Sequence, residues 1–237
     1  MISSKPSSST KYGSILFRCG LLCLLSQLSS AATVYSNFGP GAGYTSTAGN
    51  GVGGPTSQFG SLETAMAFSV VGGSYYLTAI DIAFRRMNGP SQAGLTIRAD
   101  AAGQPGAILE QVSFIPTDSF DETVNVILSG LTEISSGSLY WLAISMPADG
   151  EGIWCYPEPQ ATGSIAKSID GGITWTSPNQ NVSAFSVSGV AVPEPTGFSL
   201  LVCGAACSFY LRRRNESVFP TTPNPEARAP MVPGIRS

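Results

Sequence analysis

Turn signals recur along this 237-residue chain: "GG" at 72–73, "NGP" at 88–90, "AGQPG" at 102–106, "ADG" at 148–150 and "DGG" at 170–172. Each combines glycine with residues that make tight turns, and the intervals between them suit short strands rather than a bundle of long helices. The intervening segments read as strands: "LETAMAFSVV" (62–71), "YYLTAIDIAFRR" (75–86), "AGLTIRAD" (93–100), "ETVNVILSG" (122–130), "SLYWLAISM" (138–146), "GSIAKSI" (163–169) and "SAFSVSGVAV" (183–192). In "LTAIDIAF", period-2 alternation puts Leu77, Ala79, Asp81 and Ala83 on one face and Thr78, Ile80, Ile82 and Phe84 on the other. The second face is the more apolar and is expected to face the core. Only 11% of residues are charged, so the Glu, Lys and Arg that normally coat soluble helices are scarce. The expected fold class is all-β: a single β-sandwich domain with jelly-roll-like topology, flanked by an N-terminal signal peptide and a C-terminal transmembrane sorting helix.

Charge and composition exclude several functions. Between Thr33 and Val192, four cations (Arg85, Arg86, Arg98 and Lys167) face twelve acids, a net charge of −8. Nucleic-acid binding needs clustered Lys and Arg to neutralise phosphates, and no such patch exists. The chain contains no histidine, which removes the usual general base and every Ser-His or Cys-His nucleophile pair. No cofactor is expected.

The termini have a different composition. Lys5, Lys11 and Arg18 precede the apolar stretch "CGLLCLLSQL" (19–28), and the small residues "SSAA" follow at 29–32. Positive, apolar and small segments in that order read as a secretory signal over residues 1–32, cleaved after Ala32. Removing it leaves Cys155, Cys203 and Cys207, too few for a disulfide framework, and Cys155 is expected to be a packed residue. At the other end, Thr196 to Leu211 is a run of 16 residues without a charge. As a helix it would be about 24 Å long, slightly shorter than the roughly 30 Å hydrocarbon core. Arg212, Arg213 and Arg214 can snorkel to the headgroups and hold that end on the cytoplasmic side. Pro193 and Pro195 keep the segment before the run extended.

Pro193-Glu194-Pro195, the apolar run and the arginine cluster closely resemble the PEP-CTERM sorting signal of exopolysaccharide-producing Gram-negative bacteria. The resemblance covers about 26 residues. It implies recognition by an exosortase, a membrane protease-transpeptidase, with cleavage near the triplet and transfer to the cell envelope or extracellular matrix. The sorting segment spans 191–214. The family usually ends soon after the basic cluster, whereas here a Pro-rich tail of 23 residues follows at 215–237, with a composition that favours disorder. The 33–190 domain is in turn similar to secreted "choice-of-anchor" domains, through "VYSNFGPG" (34–41), "DAAGQPGAILEQ" (100–111), "LYWLAIS" (139–145) and "SIDGGITW" (168–175). That similarity implies an extracellular β-domain and carries over no catalytic residues.

Within the domain, Asp118, Asp121 and Glu122 in "PTDSFDET" are hard oxygen ligands that are weak candidates for Ca²⁺, since the spacing is not that of an EF-hand. Asp170 in "DGG" suits an Asx turn. Of the aromatics Tyr75, Tyr76, Trp141, Trp154, Tyr156 and Trp175, the Trp141 ring falls within an apolar strand. Trp154, Tyr156 and Trp175 lie beside turns and are the candidates for stacking on a sugar. The expected function is that of a non-enzymatic exported envelope or biofilm-matrix protein. Its partners would be an exosortase, the membrane through the C-terminal helix, and exopolysaccharide. The alternative is a secreted carbohydrate-binding module or carbohydrate-active enzyme with the same sorting signal.

Overall fold

The computed structural model describes residues 30–119 and 121–193. Within them the protein is all-β, and its strands pair antiparallel in three sheets. The first five-stranded sheet places β1 (Ala32–Ser36) beside β13 (Phe185–Ala191), then β4 (Tyr75–Ile82) and β8 (Val124–Ile127), with the short β9 (Glu133–Ile134) also paired to β4. The second runs in the order β12 (Ile165–Ser168), β3 (Glu63–Ser69), β10 (Leu139–Ser145), β6 (Ala93–Asp100) and β7 (Pro105–Phe114). A three-stranded sheet places β11 (Glu151–Pro157) between β2 (Tyr44–Gly53) and β5 (Phe84–Asn88). Among the described residues no helix is long and apolar enough to cross a membrane; the signal peptide and the predicted span at 196–211 lie outside them.

All three sheets contribute to one core. Leu77, Ile80, Ile82 and Val126 from the first sheet meet Met66, Phe68, Leu95, Ile97, Leu142 and Ile144 from the second. Val52, Phe84 and Trp154 from the third join them. Phe185 sits among the rings of Tyr35, Phe68 and Trp154, with centroids 5.0, 5.9 and 5.8 Å away.

Two expectations change at β4. The segment 75–86 is not one strand. It leaves the first sheet after Ile82 and enters the three-stranded sheet at Phe84. At the crossing, Ala83, Cys155 and Ala184 bond to one another in a ring: Ala83 N–H to the Ala184 carbonyl (3.2 Å), Ala184 N–H to that of Cys155 (2.7 Å), and Cys155 N–H to that of Ala83 (2.8 Å). The side chains there are small and buried, and Cys155 is a free, packed thiol whose pKa burial pushes up. The predicted alternation also breaks. Ser188 pairs with Ala79 but the next residue, Gly189, pairs with Leu77, so Thr78 is an extra residue on β4. A bulge inserts one residue and reverses the faces beyond it. Leu77 therefore joins Ile80 and Ile82 in the core, fully buried, rather than facing out with Ala79 and Asp81.

Candidate functional site

On the second sheet, residues with buried neighbours on either side point away from the core, as the pleat requires. Ala166, Ala65 and Ala143 lie in register on three adjacent strands, followed by Thr96 and Gln111. Two residues along, Ala67, Trp141 and Arg98 form a parallel row. A strap from Ile169 to Thr176 crosses this outer face and places Trp175 against Ala65, Ala143, Ala166 and Trp141. The alanines leave the depth that the indole occupies.

Polar contacts fix the strap. Asp170 Oδ1 accepts from the Ser168 hydroxyl (2.8 Å) and from the backbone N–H groups of Ile173 (3.2 Å) and Thr174 (2.9 Å). Its Oδ2 accepts from the Thr174 hydroxyl at 2.6 Å. These donors, Thr174 foremost, hold the carboxyl pKa down at about 2. This is the Asx-type turn expected of "DGG", extended by a hydroxyl on each side. Gly172 has φ 78°, and a Cβ there would stand 2.8 Å from Glu63 Oε2 and 2.9 Å from Arg98 Nη2. Glycine takes that conformation without strain, and any side chain there would displace the ends of Glu63 and Arg98. The Arg98 guanidinium carbon lies 5.4 Å from the centre of the Trp175 ring. Its Nε donates to Thr96 Oγ1 and its Nη1 to the Gly106 carbonyl, both at 3.2 Å. The Trp141 indole N–H donates to Asp100 Oδ1 at 2.8 Å. Burial pushes the Glu63 carboxyl pKa up, Arg98 opposes this, and Asp170 adds to it.

The aromatic platform expected from Trp154, Tyr156 and Trp175 does not form. Trp154 is 0% exposed in the main core, and its indole N–H donates to the Ala184 carbonyl at 2.9 Å. Trp175 is 8% exposed and belongs to a separate cluster under the strap. Tyr156 is half-buried on β11. Turn-adjacent position suggested exposure, but here the tryptophans fill the spaces that turns enclose. With Trp141 also 0% exposed, no tryptophan offers a face for stacking on a sugar.

The acidic loop does not converge on a cation. Asp118 holds Arg86 in a two-bond fork, with Nε to Oδ1 at 2.8 Å and Nη2 to Oδ2 at 2.6 Å. The guanidinium keeps the Asp118 carboxyl below its usual pKa. Glu122 accepts instead from the Thr117 hydroxyl at 3.1 Å. Among the described residues no set of three His, Cys, Asp or Glu side chains is placed to hold a metal.

Two further features bear on function. A groove of about 670 Å³ separates the free edges of β7 and β8, lined by Leu109, Val112, Ile127 and Leu131. Of its two carboxylates, Glu110 and Glu133, Glu110 accepts from the Ser129 backbone N–H at 2.6 Å. The domain's exit is equally well defined. Val192 N–H donates to the Ser74 carbonyl at 2.9 Å, and Pro193, the next residue, is exposed. Glu194, Pro195 and Arg212, Arg213 and Arg214 lie outside the described residues. No protein-family model matches this chain, and no curated protein matches it.

Proposed function

We propose that the protein is a non-enzymatic, exported component of the cell envelope or extracellular matrix, delivered by an exosortase acting at Pro193-Glu194-Pro195. We read its two five-stranded sheets as the layers of a jelly-roll-like β-sandwich that supplies structure or adhesion outside the cell. The observation that carries the reading is where the first compact unit of the chain ends, at Val192. Among the described residues the last backbone bond belongs to Val192, and Pro193, the first residue of the triplet, is exposed. A protease must bind its substrate as an extended backbone, and a triplet inside a strand ladder would be unavailable. Glu194 is the only charge between Asp170 and Arg212, so it is the one charged group an enzyme could read there.

Changing Glu194 to Ala tests this. Neither the apolar run nor the arginine cluster changes, so membrane insertion persists. In the native host, wild type is expected at a mass lacking the residues after the triplet. Glu194→Ala is expected to accumulate in the membrane fraction at its signal-cleaved, otherwise uncut mass. Identical masses, with residues 196–237 still attached in wild type, overturn the proposal in favour of a simple tail anchor.

A further inference from the structure

Beyond the strap, the outer face of the second sheet continues into an open trough of about 380 Å³, a volume typical of small-ligand sites. Register places its floor in one line across four strands. Thr64 pairs with Ile144, which sets Glu63 beside Ser145; Ser145 pairs with Gly94, and Gly94 with Ser113. The core-facing neighbours Thr64, Ile144 and Leu95 are fully buried, so this line points outward. Gly94 keeps the middle of the floor open, since a Cβ there would come within 2.7 Å of Ser145 Oγ. Pro55 and Pro147 wall one side and Gly171 of the strap contributes to the rim.

This trough is lined by polar side chains whose bonding capacity is unused within the protein. In the other depressions some polar side chains are engaged: Arg86 with Asp118, Asp81 with Asn125 and Ser186, and one oxygen of Glu110 with the Ser129 backbone, while its other oxygen is buried without a partner. Here Glu63, Ser61, Gln92, Ser113 and Ser145 all line the cavity, and none of their side chains makes a hydrogen bond to another described residue. The set comprises one carboxylate acceptor, three hydroxyls able to donate or accept, and one amide. No cation lines the cavity, and Arg98, which offsets part of the Glu63 charge, is not among its lining residues, so an anionic ligand meets the carboxylate first. An apolar ligand would strip water from five polar groups and return no hydrogen bonds. A ring carrying several hydroxyls meets both demands, because each hydroxyl donates to the carboxylate or exchanges bonds with Ser and Gln. Its C–H edges can rest on the two prolines.

We propose that this trough is a saccharide-binding site that takes a short stretch of neutral glycan along the line from Glu63 to Ser113. The proposal does not depend on how the chain is sorted or processed. Calorimetric titration of the full chain in mild detergent tests it with cellohexaose, maltohexaose, chitohexaose and mannohexaose, and with hexagalacturonate as the anionic comparison. At least one neutral hexasaccharide is expected to bind saturably, and hexagalacturonate is not. Ser113→Trp fills the trough from an exposed position and is expected to abolish binding. Glu63→Gln removes a charge-assisted bond and is expected to weaken binding about tenfold. Ile127→Lys, in the groove between β7 and β8, is expected to leave binding unchanged. Absence of binding to all four neutral glycans overturns the proposal, as does wild-type affinity in both trough variants.

Discussion

The two faces of the β12–β7 sheet are built on opposite plans. The inner face carries Met66, Phe68, Leu95, Ile97, Leu142 and Ile144, which interlock with side chains from both other sheets. The outer face carries Ala65, Ala143 and Ala166 under a single strap, whose cover rests on one indole and the arginine stacked on it. Burial inside is thus shared among many elements, while burial outside hangs on a few side chains in one loop. The same backbone supports a rigid layer on one side and a surface that a loop can cover or leave open on the other.

Truncations sharpen that contrast. Phe185→Ala removes a ring packed among three others and is expected to cost about 3–5 kcal/mol in urea unfolding, as for other core aromatics. Trp175→Ala is expected to cost roughly half as much, because the strap can settle onto the vacated alanines. Equal losses would show the outer cluster to be as tightly determined as the inner one.

Acid probes the strap more gently. The Asp170 carboxyl is held at about 2, so its charged form is favoured by the fold. That stability is fully present above the unfolded value, near pH 4, and is lost as pH falls toward about 2. Wild type is therefore expected to lose more melting temperature across that window than Asp170→Asn, which has no such proton to take up. Glu63 should give the smallest effect and the opposite sign. Its pKa is raised chiefly by burial, so ionisation at neutral pH costs stability that protonation restores. Glu63→Gln is expected to melt slightly higher than wild type at about pH 7, with the gain vanishing as pH falls below the ordinary carboxylate range. A gain that persists in acid would assign the effect to packing instead.

Much of the fold was legible where strands were bounded by turn chemistry and carried branched side chains. β6 runs over Ala93–Asp100, the range read from "AGLTIRAD", and β10, β12 and β13 fall inside their predicted segments. β2 was hidden because "YTSTAGNGVG" looks like loop composition. Its glycines answer to close backbone approach: a Cβ on Gly49 would stand 2.3 Å from the Trp154 carbonyl oxygen. β11 was hidden likewise, since Gly152 lies where a Cβ would meet the Phe84 ring at 2.3 Å. β7 was missed because its side chains face mostly solvent and leave no apolar alternation to read. The Asp170 turn was visible as a local pattern. The trough was not, because Glu63, Ser145, Gly94 and Ser113 become neighbours only through the register of four strands.

The ring of bonds joining Ala83, Cys155 and Ala184 also governs how the domain can come apart. Each of the three residues gives one amide and takes one carbonyl within the ring, so opening it at any point leaves a buried donor and acceptor unmet. The chain segments that meet there are far apart in sequence and lead into both the first and the three-stranded sheet. Peeling away either sheet must break the corner that the other shares. Those two sheets are therefore tied at this corner and are expected to come apart together rather than singly.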